Sequence, residues 1–119
     1  MYKIRHIAIR ADDQKKVAEF YKRTFCMKEV RNDGDDRALY LSDGYITLAI
    51  LRQRRGMALG IDHFGFQVDD MTKVGEDAAA AGGSANLEQR PRDGRFAEFR
   101  VHDPVGSPID LSEAGWKTA

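Results

Sequence analysis

Two segments of the chain share one alternating pattern of apolar and polar positions. Residues 4–13 and 61–70 both contain Ile, a variable residue, His, an apolar, a small and an apolar residue, two variable residues and Asp-Asp, in that order. Such alternation is typical of a β-strand with one buried face, and the matching order indicates an internal repeat. The two segments are therefore predicted to be the first strands of two similar modules.

Each of these strands leads into a predicted helix. Apolar residues recur at helical spacing after both Asp-Asp pairs. Asp12 or Asp13 is suited to cap the first helix, and Asp70 or Thr72 the second. The pair Gly82-Gly83 is a natural end for the second helix.

Three strand-like segments follow each helix, separated by turns rich in Gly, Asp and Pro. They span residues 27–31, 38–42 and 46–52 in the first module, and 85–90, 96–102 and 109–112 in the second. The order predicts an α+β fold of two βαβββ repeats that pair into a concave, partly open mixed sheet, because one short module cannot bury its own sheet. A single domain, 1–119, would consist of modules 1–55 and 58–119.

The alternation also predicts which side chains point into the concavity. If the apolar residues of each strand pack on the helices, His6 and Arg10 of the first strand point the other way. The same rule turns inward a set of polar residues in the second module: His63, Gln67, Glu98, Arg100 and Asp110.

Two imidazoles and one carboxylate on a single face form a recognised ligand set for a divalent metal. His6, His63 and Asp110 are therefore predicted to bind one ion, with Fe, Mn, Ni and Zn as candidates because imidazole suits transition metals. Two histidines at equivalent positions of a repeat are also compatible with inherited symmetry and no metal.

The other inward residues are candidates for catalysis and substrate binding. Glu98 is the candidate general base, the alternative being an ion pair between Glu98 and Arg100. Arg10, Gln67 and Arg100 are the candidate substrate-binding residues, because arginine binds carboxylates and phosphates with paired hydrogen bonds. The alternative for the two arginines is a role as solvated charges at the rim.

Composition narrows the classes of partner. The chain has 19 Lys and Arg and 19 Asp and Glu, so it offers no net field to nucleic acid or to a membrane surface. No apolar run is long enough to span a bilayer, and no signal-peptide pattern is present. The single cysteine, Cys26, excludes an internal disulfide. We predict a cytoplasmic protein with a small-molecule substrate and no nucleic-acid or membrane partner.

These motifs resemble the vicinal oxygen chelate superfamily, which contains glyoxalases, bleomycin-resistance proteins and extradiol dioxygenases. The resemblance rests on residues 4–9, on residues 62–66, and on residues 103–111, which look like the family's Asp-Pro-x-Gly-x-x-Ile-Glu-Leu signature. It implies that His6 and His63 are the two histidine ligands and that Asp110 takes the place of the usual glutamate. It also implies a homodimer, because two-module chains of this family commonly pair to complete their clefts.

The resemblance further implies a metal-dependent enzyme that chelates two neighbouring oxygens of a small oxygen-rich substrate. Isomerase, lyase, transferase and Fe(II) dioxygenase chemistry all use such a site. Thr47 or Ala49 stands where glyoxalase I members have a fourth, glutamate ligand, which counts against lactoylglutathione lyase and methylmalonyl-CoA epimerase. The alternative is a metal-free, ligand-sequestering protein of the bleomycin-resistance kind. The change from glutamate to aspartate favours this alternative, and the paired histidines argue against it.

Overall fold

The elements of the chain follow each other in the predicted order. The computed structural model describes residues 2–32, 34, 37–84, 88–89, 97 and 99–116. Its elements are β1 (Lys3–Ala11), α1 (Gln14–Phe25), β2 (Lys28–Asn32), β3 (Leu39–Ser42), β4 (Thr47–Arg52), β5 (Gly60–Gln67), α2 (Met71–Ala80), β6 (Glu88–Gln89), β7 (Phe99–His102) and β8 (Pro108–Ser112). They form two βαβββ repeats with both parallel and antiparallel strand pairs, so the predicted α+β fold with a mixed, open sheet is confirmed.

The chain divides into two compact units. The N-terminal unit contains His6–Asp62, and the C-terminal unit contains His63–Trp116 together with the residues before His6. The module limits at residues 55 and 58 stay a prediction. No helix in the described part of the chain is long and apolar enough to cross a bilayer.

The N-terminal unit is built on strands in the order β2-β3-β4-β1. Strands β1 and β4 are parallel, and the pairs β2–β3 and β3–β4 are antiparallel. The side chain of Asp13 accepts a hydrogen bond from the Lys16 amide at 3.1 Å, which confirms one of the two predicted caps of α1. The core of this unit consists of Ile9, Ala11, Ala18, Leu39, Leu41, Leu48 and Ile50.

The C-terminal unit contains strands in the order β5-β8-β7-β6. The pair β5–β8 is parallel, and the pairs β7–β8 and β6–β7 are antiparallel. Asp70 caps α2 through the Lys73 amide at 3.1 Å, as predicted, and Glu113 accepts from the Met71 amide at 3.2 Å. The core of this unit consists of Val68, Met71, Val101 and Leu111, with Phe66, Val74, Ala78, Phe99 and Ile109 packed around it.

Two predicted elements lie partly outside the described residues. Within the segment 85–90, strand β6 covers Glu88–Gln89, and within 96–102, strand β7 begins at Phe99. Glu98, the candidate general base, lies outside the described residues, so its role stays a prediction.

Candidate metal centre

Strand β5 turns His63 away from the apolar core of its unit. Because side chains alternate along a strand, His63, Gly65 and Gln67 share one face, while Phe66 packs on the core beneath α2. Strand β8 runs parallel to β5, and Asp110 is the register partner of Gly65. Asp110 therefore lies on the same face as His63, as the alternation predicted.

His63 and Asp110 are in direct contact on this face. Nε2 of His63 lies 3.1 Å from Oδ2 of Asp110, and the two side chains are only 9% and 7% exposed. A carboxylate bonded to one ring nitrogen fixes the orientation of the imidazole.

Arg100 binds the second oxygen of the same carboxylate. Strand β7 pairs antiparallel with β8 so that Arg100 is the register partner of Asp110. The Arg100 Nε donates to Oδ1 of Asp110 at 2.6 Å, a short, charge-assisted hydrogen bond. Sequence reasoning placed Arg100 beside Glu98 or a substrate and missed this contact. Substrate binding by Arg100 stays a prediction.

The two contacts determine the charge state of Asp110. Burial by itself raises the pKa of this carboxyl, but hydrogen bonds and charge from His63 and Arg100 outweigh it and hold the pKa far below the usual range. Asp110 is consequently ionised and negatively charged at neutral pH.

His6 supplies the third potential ligand. It lies on β1 as the register partner of Thr47 and is 4% exposed. His6, His63 and Asp110 each offer one ligand atom, and these atoms all lie within 4.8 Å of one another. These three residues are thus a possible metal-binding group, and their role as ligands stays a prediction.

This donor set fits a divalent transition metal. Two neutral imidazoles and one carboxylate are the ligands of open, three-residue metal sites, in which further positions remain for water or substrate. Thr47 of β4, the neighbour of His6, is fully buried and is not a carboxylate.

Arg10, a predicted substrate-binding residue, makes two contacts within the N-terminal unit. Its Nε donates to Oδ1 of Asp62 at 2.9 Å, and its Nη1 donates to the carbonyl oxygen of Arg52 at 2.9 Å. The side chain is 11% exposed. These contacts fix the guanidinium beside β5, and its role in substrate binding stays a prediction.

The turn after β8 packs on Gln67, the other polar residue on this face of β5. The sequence pattern did not predict this contact. The Gly115 amide donates to Oγ of Ser112 at 2.9 Å, and a Cβ at Gly115 would lie 2.8 Å from Oε1 of Gln67. Trp116 follows and packs on Gly65, where a Cβ would lie 2.7 Å from Cη2 of the indole. Gln67 is therefore a neighbour of this turn, and its contact with substrate stays a prediction.

Comparison with known proteins places the chain in a family. Residues 3–111 match the model of the Glyoxalase/Bleomycin resistance protein/Dioxygenase superfamily, which is nearly the whole chain. The chain belongs to this superfamily. The resemblance drawn from the sequence motifs is thereby confirmed, and members of this superfamily act on or bind small molecules.

Individual relatives of the chain have different chemistries. A probable chloroplastic lactoylglutathione lyase of Arabidopsis thaliana is 25% identical over 92% of this chain, which spans only 35% of that protein. The 2,3-dioxygenase LapB of Pseudomonas sp. KL28 has a TM-score of 0.69 at 23% identity, over 92% of this chain and 40% of the other. A methylmalonyl-CoA epimerase of Streptomyces coelicolor has a TM-score of 0.63 at 19% identity, over 92% and 94%. The two structures show a shared fold.

Proposed function

We propose that this superfamily member is a divalent-metal-dependent enzyme that acts on a small, oxygen-rich substrate by chelating two of its neighbouring oxygens. The observation that supports this proposal is the cluster of His6, His63 and Asp110, whose ligand atoms lie within 4.8 Å of one another. An ion held there supplies Lewis acidity for isomerase, lyase or transferase chemistry, or oxygen chemistry if the ion is Fe(II).

The protein's own residues have distinct roles in this proposal. The two histidines and Asp110 hold the ion, and Arg10, Gln67 and Arg100 orient the substrate. Glu98 moves a proton to or from the substrate. His6, His63 and Asp110 are each less than 10% exposed, as expected of ligands rather than of solvated surface groups.

The first experiment measures metal binding. We expect about one equivalent of Fe, Mn, Ni or Zn in protein purified without a histidine tag or chelator, by elemental analysis. Substitutions H6A, H63A and D110N should each weaken binding by well over tenfold, because each removes one of three ligands. H102Q is the matched control, since the third histidine of the chain stands at the end of β7 outside the cluster; its metal affinity should match the unmodified chain.

The identity of the ion separates the possible reactions. Iron would favour dioxygenase chemistry, whereas Mn, Ni or Zn would favour isomerisation or transfer by a Lewis acid. If no ion is retained and none binds on addition, or if H6A and D110N keep full affinity, the proposal is wrong.

A metal-free, ligand-sequestering protein is the second candidate function. The Arg100–Asp110 contact at 2.6 Å favours it, because a carboxylate compensated by a guanidinium needs no ion to balance its charge. The absence of metal uptake in the experiment above would support this function. The homodimer and the cytoplasmic location stay predictions under both.

A further inference from the structure

The Asp110 carboxylate is bound on both sides by groups of its own unit. Oδ1 accepts from Nε of Arg100 at 2.6 Å, and Oδ2 lies 3.1 Å from Nε2 of His63. The three side chains are 7–15% exposed. Because a carboxylate group rotates through a broad torsional minimum, these two contacts fix an orientation that the aspartate alone would not hold.

We propose that Arg100 is a positioning residue for the metal ligand Asp110: by holding Oδ1, it leaves Oδ2 as the one oxygen offered to the ion. The inference rests on the proposed function, since it requires that the cluster binds a metal. Of the two oxygens, Oδ2 is the one that already lies beside the imidazole of His63. Its partner oxygen, Oδ1, is bonded to Arg100.

The guanidinium has two opposing effects on a nearby cation. Its positive charge repels a divalent ion, so removal of Arg100 by this effect alone would tighten metal binding. Its hydrogen bond orients the ligand, and loss of such an outer partner typically weakens metal binding about 10–100-fold. The short distance and the buried carboxylate favour orientation as the larger effect, and the sign of the change decides between them.

The experiment is a calorimetric titration of the full chain with Zn(II) and with Ni(II), in competition with a chelator of known affinity. We expect R100M to raise the Kd of both ions about 10–100-fold. R100Q should raise the Kd less, because its amide still donates to a carboxylate oxygen. R31M is the matched control: Arg31 lies over the ring of Tyr40 in the N-terminal unit, so its loss removes one charge and should leave the Kd unchanged.

A second variant and a second signal protect the test against loss of folding. R100K keeps the charge, but an ammonium is a point donor without the planar geometry of a guanidinium, so we expect its Kd to rise about tenfold. The visible absorption of bound Co(II) depends on its ligand arrangement. That spectrum should change in R100M and R100K and stay the same in R31M.

The outcomes separate this inference from the proposed function. An unmodified chain that binds no ion overturns both. If the unmodified chain binds metal and R100M and R100K bind it equally well or more tightly, Arg100 is only a counter-charge. The positioning role is then wrong and the proposed function stands.

Discussion

At the scale of single residues, the carboxylate of Asp110 links stability to acidity. Its pKa is lowered in the folded protein by His63 and Arg100, against the effect of burial. In the unfolded chain the pKa of an aspartate is about 3.9. A group whose folded pKa is the lower one stabilises the fold fully above the unfolded pKa, and this contribution is lost as the pH falls towards the folded pKa.

Substitution D110N should remove this dependence. We expect the free energy of unfolding at pH 7 to fall by about 3 kcal/mol, the lower end of the cost of removing one partner from a buried ion pair. Between about pH 5 and pH 2 the variant should lose less stability than the unmodified chain. Urea unfolding at a series of pH values measures both effects.

The matched control for this measurement is D77N. Asp77 contacts Lys73 at 2.9 Å with both side chains more than 60% exposed, so its loss should change the stability by less than about 0.5 kcal/mol. If the free energy of unfolding of D110N and that of the unmodified chain fall equally as the pH is lowered, the assigned role of Asp110 is wrong.

At the scale of elements, the packing of the turn after β8 on β5 depends on Gly65, a residue without a side chain. A Cβ at Gly65 would lie 2.7 Å and 2.9 Å from Cη2 and Cζ2 of Trp116, and 3.2 Å from the Asp110 carbonyl oxygen. Trp116 is 7% exposed, so its ring has little space in which to move. Gly65 thus allows the indole to lie directly on the strand.

Substitution G65A should therefore destabilise the C-terminal unit. We expect a loss of about 1–3 kcal/mol, the usual cost of overpacking a core, in thermal and urea unfolding. The double variant G65A/W116L should lose less stability than the sum of the losses in the two single variants, because leucine leaves room for the added Cβ at position 65. Strict additivity, or no cost for G65A, would contradict the packing described.

Local patterns predicted a large part of these elements and only part of their contacts. Strand alternation placed His63 and Asp110 on one face because the two-residue period is a property of the backbone itself. The Arg100–Asp110 contact depends on the register of β7 and β8, which alternation does not determine. The packing of Trp116 on β5 has no periodic pattern in the sequence that could predict it.

Helix α1 is a second case in which the sequence pattern predicts an element but only part of its packing. The apolar residues at helical spacing after the first Asp-Asp pair include Val17, Phe20 and Tyr21. Two of them, Val17 and Tyr21, pack on the core. Phe20 is 54% exposed and meets the rings of Tyr21 and Phe25 from outside. The spacing gives the direction of the apolar face, but its width depends on how the sheet meets the helix.

At the scale of the whole molecule, the predicted homodimer is open to a direct measurement. Several large apolar side chains are exposed, among them Phe25 at 61% and Ile61 at 78%. Exposed apolar groups of this kind favour association when they are contiguous. Sedimentation velocity at micromolar concentrations should give twice the mass of one chain, and a single species with the mass of one chain up to about 100 µM would show that the prediction is wrong.

The indole on Gly65 has a further consequence. Trp116 is the single tryptophan of the chain. It lies against Gly65, which is two residues from His63 in β5 and is the register partner of Asp110. Its ultraviolet emission therefore originates at one known point, beside two candidate ligands. The fluorescence of Trp116 is therefore an intrinsic probe of this face. Without any added dye, it can report detachment of the turn after β8, unfolding of the C-terminal unit, or binding of an ion that absorbs the emitted light.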